Sequence, residues 1–123
     1  MKYLILIYTN PESRAVWEAF SEADRAAGFH EYERLTAELA ASGELIVTEA
    51  LADASQGRRV AVRDGVTITS DGPFAEAKEQ LAGFFLLECE SVERAVEVAA
   101  RLPDAGVNLI EVRPVMDYGG LEM

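Results

Sequence analysis

The sequence predicts an α+β domain, a ferredoxin-like βαββαβ sandwich with one inserted β-hairpin. Its elements follow the order strand, helix, strand, hairpin, strand, helix, strand, which reduces to βαββαβ when the hairpin is set aside. Two segments, residues 3–8 and 81–87, are apolar at nearly every position, as central strands buried on both faces are. The length of 123 residues is that of one domain, residues 1–123, with a core of useful size.

The first half of the chain supplies a strand, a long helical region and a second strand. Residues 3–8 form the first strand, which ends before Pro11. Apolar residues recur at helical spacing over residues 13–41, and we expect Gly28 to interrupt the helical region. Residues 44–51 contain several β-branched side chains, which favour a strand.

The second half supplies the hairpin and then a strand, a helix and a last strand. The hairpin covers residues 59–70, because an Asp-Gly pair in its middle is a strong signal for a two-residue turn. After the apolar strand, Ser91 is a natural N-cap for a helix over residues 92–102. The last strand covers residues 107–115 and should lie at a sheet edge, where the missing N–H of Pro114 is tolerated.

The two apolar strands also predict a homodimer. A βαββαβ fold places both helices on one face of the sheet, yet residues 3–8 and 81–87 are apolar on both faces. The other face would be a large exposed apolar patch, which soluble monomers rarely carry. The sheet of a second copy is the simplest cover for this patch, so a second copy is the expected partner.

The charge balance argues against nucleic acids and membranes as partners. Eleven basic and twenty-two acidic residues give a net charge of −11, and such a surface repels phosphate backbones and anionic lipid. No apolar run reaches membrane-spanning length, and the N-terminal run is too short for the core of a signal peptide. We therefore expect a cytoplasmic protein.

Cysteine and histidine offer little for metal or covalent chemistry. The only cysteine, Cys89, lies between two glutamates, which is a poor setting for a thiolate nucleophile. The only histidine, His30, is the obvious acid–base candidate. However, it lies about 160° around the helix from Tyr32 and so points away from the buried stripe. The sequence has no metal-ligand spacing and no phosphate-loop spacing, so no metal and no cofactor are predicted.

The segment DGPFAEAKEQLAGFF, residues 71–85, resembles the hallmark segment of the DGPF-domain family, a branch of the YCII-related proteins. The apolar opening strand and the closing segment IEVRP, residues 110–114, are weaker matches to the same family. The resemblance implies a ferredoxin-like fold whose sheets pair in a dimeric α+β barrel. It implies little about activity, because most members of the family are uncharacterised.

The wider YCII pattern contains a histidine–aspartate dyad. Counted back from Gly43, the family's histidine falls nearer Tyr32 than His30, and Ala41 replaces the aspartate. The dyad therefore does not match this chain, and the resemblance does not carry its acid–base mechanism over.

Charged residues directly before the most apolar strand predict a ligand cleft. We name residues 71–79 the strap; its charges must lie beside the core. One interpretation is a capping turn that fixes the entry into the strand. The other is the rim of a cleft for a small anionic or polar aromatic molecule. The residues assigned to this cleft are Tyr8, Asp71, Phe74, Lys78, Glu79 and Arg113.

Arg113 is assigned to the cleft because successive side chains of the last strand point to opposite faces of the sheet. If Ile110 and Val112 face the helices, Glu111 and Arg113 point to the other side of the sheet. An ion pair is the simpler interpretation, since charges at such a place must be paired or wetted. The alternative is that the guanidinium of Arg113 holds a ligand carboxylate bidentately.

Two functions are compatible with these residues. The first is a small-molecule-binding protein without catalysis, and the resemblance implies a regulatory role linked to an extracytoplasmic-function sigma factor. The second is a lyase-like enzyme that acts through Tyr8, Asp71, Glu79 and Arg113, since the wider YCII-related group is similar to lyases for polar aromatic compounds. Asp71, Glu79 and His30 are then the candidate catalytic residues, and whether the protein is an enzyme stays open.

Overall fold

A four-stranded antiparallel sheet organises the fold, and its strand order is β2-β5-β1-β6. The structure, a computed structural model, describes residues 1–72 and 78–117. The strands are β1 (Lys2–Thr9), β2 (Leu45–Ala50), β3 (Arg58–Arg63), β4 (Val66–Asp71), β5 (Gln80–Glu88) and β6 (Leu109–Pro114). The helices in the described part are α1 (Pro11–Ala19), α2 (Glu22–Ser42) and α3 (Val92–Ala100).

The strand order confirms the predicted ferredoxin-like topology. The two doubly apolar strands, β1 and β5, lie at the centre, where Ile5 is opposite Phe85 and Leu6 is opposite Phe84. Strand β6 pairs only with β1 and lies at the edge, as expected from Pro114. An edge strand can hold a proline because the missing N–H does not break an internal ladder.

The core lies between the sheet and the helices. Ile5, Phe85 and Leu87 point from the sheet, while Leu35 of α2 and Val98 of α3 cover them, and all five are at most 1% exposed. Burying each of these side chains stabilises the fold by roughly 1.5–3 kcal/mol. The other side chains of the cluster are Tyr3, Ile7, Leu39, Cys89, Ala95, Ala99 and Leu102.

The expected interruption at Gly28 is wrong, because the helical region breaks at Phe20 and Ser21 instead. Ser21 caps α2 by accepting a hydrogen bond from the Asp24 amide at 3.1 Å. Gly28 lies inside α2, where a Cβ atom at this position would lie 3.8 Å from Cβ of Pro103 and 3.9 Å from Cζ3 of Trp17. The N-cap Ser21 thus sets where the second helix begins, whereas a single glycine such as Gly28 weakens a helix only modestly.

The buried face of α3 agrees with the prediction in part. Helical spacing predicts that Val92, Ala95, Val96 and Ala99 point inward, and Ala95 and Ala99 are buried. Val92 and Val96 are 40% and 52% exposed, and Val98 faces the sheet with the two alanines. Small alanines allow a helix to approach the sheet closely, and helical periodicity alone does not distinguish this face from its neighbour.

The predicted hairpin is confirmed as a separate two-stranded sheet of β3 and β4. Its turn residues Asp64 and Gly65 have φ angles of 50° and 76°, which are the left-handed values of a type I′ turn. Val60 and Val62 are 66% and 67% exposed, so the hairpin contributes little to the core.

Candidate functional site

A pocket of about 310 Å³ lies between α1, α2 and the segment that joins α3 to β6. Four aromatic side chains dominate its walls, and we call it the aromatic pocket. These side chains are Trp17, Phe20, Phe29 and Tyr32. Such a volume is at the lower end of the roughly 300–1,000 Å³ that small-molecule sites occupy.

The rings of the aromatic pocket form one contiguous group around Trp17. The Trp17 ring lies 5.8 Å from that of Phe20 and 5.6 Å from that of Phe29, the latter edge-to-face at 83°. Phe29 is 59% exposed, whereas Tyr32 is half-buried and stacks on Phe85 of the core at 6.2 Å. The pocket therefore has an exposed aromatic rim and a deeper wall fixed to the sheet.

The polar end of the pocket is a carboxylate held by two donors. The Tyr32 hydroxyl donates to Oδ1 of Asp104, and Nδ2 of Asn108 donates to Oδ2 at 2.7 Å. The backbone carbonyl of Asp104 also accepts the amides of Val107 at 2.9 Å and Asn108 at 2.7 Å. These bonds fix the carboxylate at the short 3₁₀ turn Pro103–Gly106. Oδ1 of Asn108 is buried and has no hydrogen-bond partner in the part of the chain that the structure describes.

The charges around the aromatic pocket are mostly negative. Its walls include Asp24 and Asp104, and Arg14 is the one basic residue among the described lining residues. Arg14 is directed to Gln80 by a hydrogen bond and to Asp53 at 3.6 Å. Burial raises the pKa of the Tyr32 hydroxyl, and its hydrogen bond to Asp104 raises it further. Tyr32 therefore stays protonated at neutral pH.

Tyr8 and Arg113, two residues of the predicted cleft, meet through Glu111. The Tyr8 hydroxyl donates to Oε1 of Glu111 at 3.4 Å. Arg113 donates to Oε2 of Glu111 from Nε at 2.9 Å and from Nη2 at 2.6 Å. This bonding to Glu111 raises the pKa of Arg113. Ile110 and Val112 pack against the core, so Glu111 and Arg113 lie on the sheet face opposite the helices, as predicted.

The described strap residues lie elsewhere. Lys78 and Glu79 line a groove of about 520 Å³ together with Asn10 and Arg14, and we call it the strap groove. Nδ2 of Asn10 donates to Oε1 of Glu79 at 3.5 Å. Asp71 ends strand β4 and pairs with Arg58 at 3.3 Å, with both side chains largely exposed.

The other predicted site residues are Phe74 and His30. Phe74 lies outside the described residues. His30 is exposed on α2 and is not among the described lining residues of the aromatic pocket. Within residues 1–72 and 78–117, no group of three His, Cys, Asp or Glu side chains could hold a metal ion. No helix in these ranges is long and apolar enough to cross a membrane.

Sequence reasoning does not find the aromatic pocket. The helical spacing assigns Trp17 and Tyr32 to a buried stripe, and Asp104 falls in a predicted helix stop. The Tyr32–Asp104 hydrogen bond joins residues 72 positions apart, and no local pattern indicates such a contact. The one available signal is the accumulation of aromatic residues in the helical region, which is equally typical of core.

Comparison with known proteins shows a family match and a relative in sequence. The sequence model of the YCII-related domain matches residues 1–119. An uncharacterised protein of Rhizobium meliloti (strain 1021) is 33% identical over 120 residues, covering 96% of this chain and 94% of that protein.

A solved structure is also similar. It is the 5-chloro-2-hydroxyhydroquinone dehydrochlorinase from Burkholderia phenoliruptrix AC1100, in complex with 2,5-dihydroxybenzoquinone. The TM-score is 0.51 with 18% identity, and the likeness covers 94% of each chain. At this identity the likeness supports the fold alone.

Proposed function

We propose, from the premise that the chain belongs to the YCII-related domain family, that it binds a small hydroxylated aromatic molecule in the aromatic pocket. One observation carries the proposal: four aromatic side chains surround a cavity whose deep end holds Tyr32, Asp104 and Asn108. Apolar walls with a few convergent polar groups are the usual form of a ligand site. We also propose that the chain belongs to the DGPF branch of the family, because residues 71–85 resemble its hallmark segment.

The chemistry of the walls favours a planar ring. Trp17, Phe20 and Phe29 can contact a ring by stacking or edge-to-face geometry, which is worth about 0.5–1.5 kcal/mol per aromatic pair beyond burial. A hydroxyl on that ring would then reach the polar end. The structurally similar dehydrochlorinase is named for a ligand of this class and was solved with a dihydroxybenzoquinone, which supports the choice of compound.

Binding can be measured with the protein's own fluorophore. Trp17 is the only tryptophan in the chain and lies in the pocket wall. Titration with hydroquinone, catechol or 2,5-dihydroxybenzoquinone should quench its fluorescence saturably, after correction for ligand absorbance. Phe29→Ala should weaken binding, because it removes an exposed ring from the rim. Val60→Ala, on the hairpin, should not. Absence of saturable quenching, together with no heat in calorimetry, would contradict the proposal.

We also propose that the protein is a homodimer that buries the sheet face opposite the helices. The register places Leu6 beside Phe84 and Leu4 beside Leu86 on this face, with Leu109 at the edge. These side chains form an apolar surface on the face of the sheet that the described helices do not cover. A second copy would cover it, which agrees with the dimeric α+β barrel implied by the DGPF resemblance.

The dimer has a matched pair of test variants. Leu109 is 53% exposed in the single chain, so Leu109→Glu should fold normally but break the dimer. Val96 is 52% exposed on the outer side of α3, so Val96→Glu introduces the same charge without touching the proposed interface. Light scattering should give a dimer for the wild type and Val96→Glu, and a monomer for Leu109→Glu. A monomeric wild type at micromolar concentration would refute the assembly.

We favour binding without turnover over the lyase-like alternative. The described walls of the aromatic pocket contain no histidine or cysteine, and Tyr32 is held protonated. Incubation with a chlorinated hydroquinone and measurement of chloride release distinguishes the two functions. Release above the uncatalysed rate would favour the enzyme, and Asp104→Asn should then abolish it. A regulatory role linked to a sigma factor rests on the DGPF resemblance alone.

The strap site stays a second proposal. The described walls of the strap groove include two cations, Lys78 and Arg14, and two carboxylates, Glu12 and Glu79. We propose that a small anionic ligand binds there beside Lys78. Of the rim residues predicted from the sequence, Glu79 lines this groove, whereas Tyr8, Asp71 and Arg113 are not among its described lining residues and stay separate proposals. A carboxylate that stabilises the wild type in a thermal-shift screen but not Lys78→Met would support this site.

A further inference from the structure

We infer that the aromatic pocket takes ring compounds in their protonated, uncharged form, and that Asp104 is the residue that rejects phenolates and aromatic carboxylates. The inference rests on the proposed function and adds to it the protonation state of the ligand. It follows from two independent features of the pocket, the direction of its hydrogen bonds and the sign of its charges.

The hydroxyl groups in the described walls all donate their protons within the protein. Thr9 donates to the carbonyl of Gln80 at 3.5 Å, and Ser13 donates to the carbonyl of Asn10 at 3.1 Å. The third hydroxyl, that of Tyr32, donates to Asp104. A hydroxyl whose single hydrogen is committed can only accept from a ligand. These three hydroxyls can therefore bond only to a ligand that supplies the proton, which a phenol can do and a phenolate cannot.

The charges act in the same direction. Among the described residues, the titratable and charged groups that face the pocket are Arg14 from α1, Asp24 and Tyr32 from α2, and Asp104 from the 3₁₀ turn. Arg14 already interacts with Asp53 and Gln80. Asp104 receives its two side-chain hydrogen bonds from neutral donors, and it forms no ion pair among the described residues. An anionic ligand at the polar end would therefore face an uncompensated carboxylate.

The consequence is a measurable dependence on the ligand's own ionisation. A carboxylate beside a bound phenol disfavours the phenolate, so the pKa of the phenol rises on binding. Affinity should therefore be constant while the ligand is protonated in solution and should fall once it ionises. A ring without an ionisable group should show no such fall over the same pH range.

A suitable probe is 4-nitrophenol, which ionises near neutral pH and whose phenolate absorbs visible light. Quenching of Trp17 gives its affinity at pH values below and above its ionisation, and 4-nitroanisole serves as the matched probe without a proton. For the wild type we expect the affinity for 4-nitrophenol to fall at least about tenfold as it ionises. A fall of this size is typical of the repulsion between two nearby negative charges, here the phenolate and the Asp104 carboxylate. The affinity for 4-nitroanisole should not change.

Two variants assign the effect to one residue. Asp104→Asn keeps the shape of the side chain and removes its charge, so it should flatten the pH dependence. Asp64→Asn makes the same chemical change in the hairpin turn, where asparagine tolerates the left-handed backbone, and should behave as the wild type. Because Asp104→Asn could disturb folding, benzamide and benzoate provide a comparison on the wild type alone. Benzamide should bind at least about tenfold more tightly than benzoate.

The outcomes separate the inference from the proposed function. Equal affinity for phenol and phenolate, or for benzamide and benzoate, would overturn the inference and leave aromatic binding intact. Loss of all binding in a folded Asp104→Asn variant would overturn the assignment of the rejection to Asp104. No saturable binding of any probe would overturn the proposed function, and the inference with it.

Discussion

The described part of the molecule contains two tyrosine–carboxylate pairs that differ in how the negative charge is balanced. On the sheet face opposite the helices, Tyr8 donates to Glu111, and Arg113 adds two charged hydrogen bonds to the same carboxylate. In the aromatic pocket, Tyr32 donates to Asp104, and the second donor is the neutral amide of Asn108. The first carboxylate is neutralised locally, and the second is not.

This difference indicates different uses for the two places. Covering a carboxylate that is already paired costs less than covering a lone one, which would leave an uncompensated buried charge. Glu111 and Arg113 are therefore compatible with the proposed dimer interface. A carboxylate with only neutral donors keeps an uncompensated negative charge, and Asp104 places that charge at the wall of a cavity. The aromatic pocket is thus suited to discriminate ligands by charge.

The strongest test of the comparison removes one hydroxyl from each pair. Tyr32→Phe deprives a part-buried carboxylate of a donor, so the free energy of unfolding should fall by about 1–3 kcal/mol. Tyr8→Phe breaks a long bond of 3.4 Å to a carboxylate that retains Arg113, and the loss should stay below about 1 kcal/mol. Urea denaturation of the two variants measures both values. Equal losses would mean that the charge balance does not distinguish the pairs.

Unfolding at alkaline pH tests the Tyr32–Asp104 pair separately. The pKa of Tyr32 is raised in the folded protein by burial and by Asp104, so the folded state holds the proton more tightly than the unfolded state. The resulting stability is fully present below about pH 10, the ordinary tyrosine value, and is lost as the pH rises further. Denaturation midpoints should therefore fall steeply above that pH. The fall should be shallower in Tyr32→Phe, and an unchanged slope would rule out this linkage.

The two pairs also show which parts of a site a sequence can predict. Glu111 and Arg113 are two positions apart on one strand, so the period of two is enough to place them on the same face. Tyr32 and Asp104 meet only because α2 and the 3₁₀ turn after α3 pack at the same end of the sheet. That meeting depends on tertiary packing and leaves no local pattern. A contact between neighbours on one element was therefore predictable, and a contact between separate elements was not.

The fold was likewise predictable where local sequence determines it and less so where packing between elements does. The central positions of β1 and β5 were predictable because both strands are apolar at consecutive positions. The hairpin turn was predictable from the backbone preferences of Asp64 and Gly65. The buried face of α3 was predictable only in part: Ala95 and Ala99 face inward as predicted, but Val92 and Val96 satisfy the same helical period and are exposed. Which of them faces the sheet depends on how closely the backbone can approach.

A third carboxylate provides an intermediate case at acid pH. Arg94 binds Glu44 bidentately, from Nε and Nη2 at 2.9 Å each, and Ser42 adds a bond at 2.8 Å. These bonds lower the pKa of Glu44 from its ordinary value of 4.5 to about 2. Because the folded value is the lower one, the pair's contribution is present above about pH 4.5 and is lost as the pH falls toward 2.

Glu44→Gln should therefore reduce the acid dependence of stability between these two pH values, as measured by denaturation midpoints. The effect should be smaller than that of Tyr32→Phe at neutral pH, because the side chains of Glu44 and Arg94 are 18% and 30% exposed and solvent screens the pair. A full wild-type acid dependence in Glu44→Gln would show that other carboxylates account for it.

The smallest expected effect is that of Arg113 on the aromatic pocket. Arg113 binds Glu111 on the sheet face opposite the helices and is not a described lining residue of the pocket. Arg113→Met and Arg113→Lys should therefore leave the affinity for hydroquinone unchanged when Trp17 fluorescence is measured. The same two variants test a separate proposal, that Arg113 holds a ligand carboxylate through its planar fork. If that proposal is correct, both variants weaken the binding of a carboxylate found by thermal shift, because lysine cannot reproduce the bidentate geometry. A carboxylate that binds both variants as tightly as the wild type would exclude Arg113 as its anchor, and Arg113 would then serve only to neutralise Glu111.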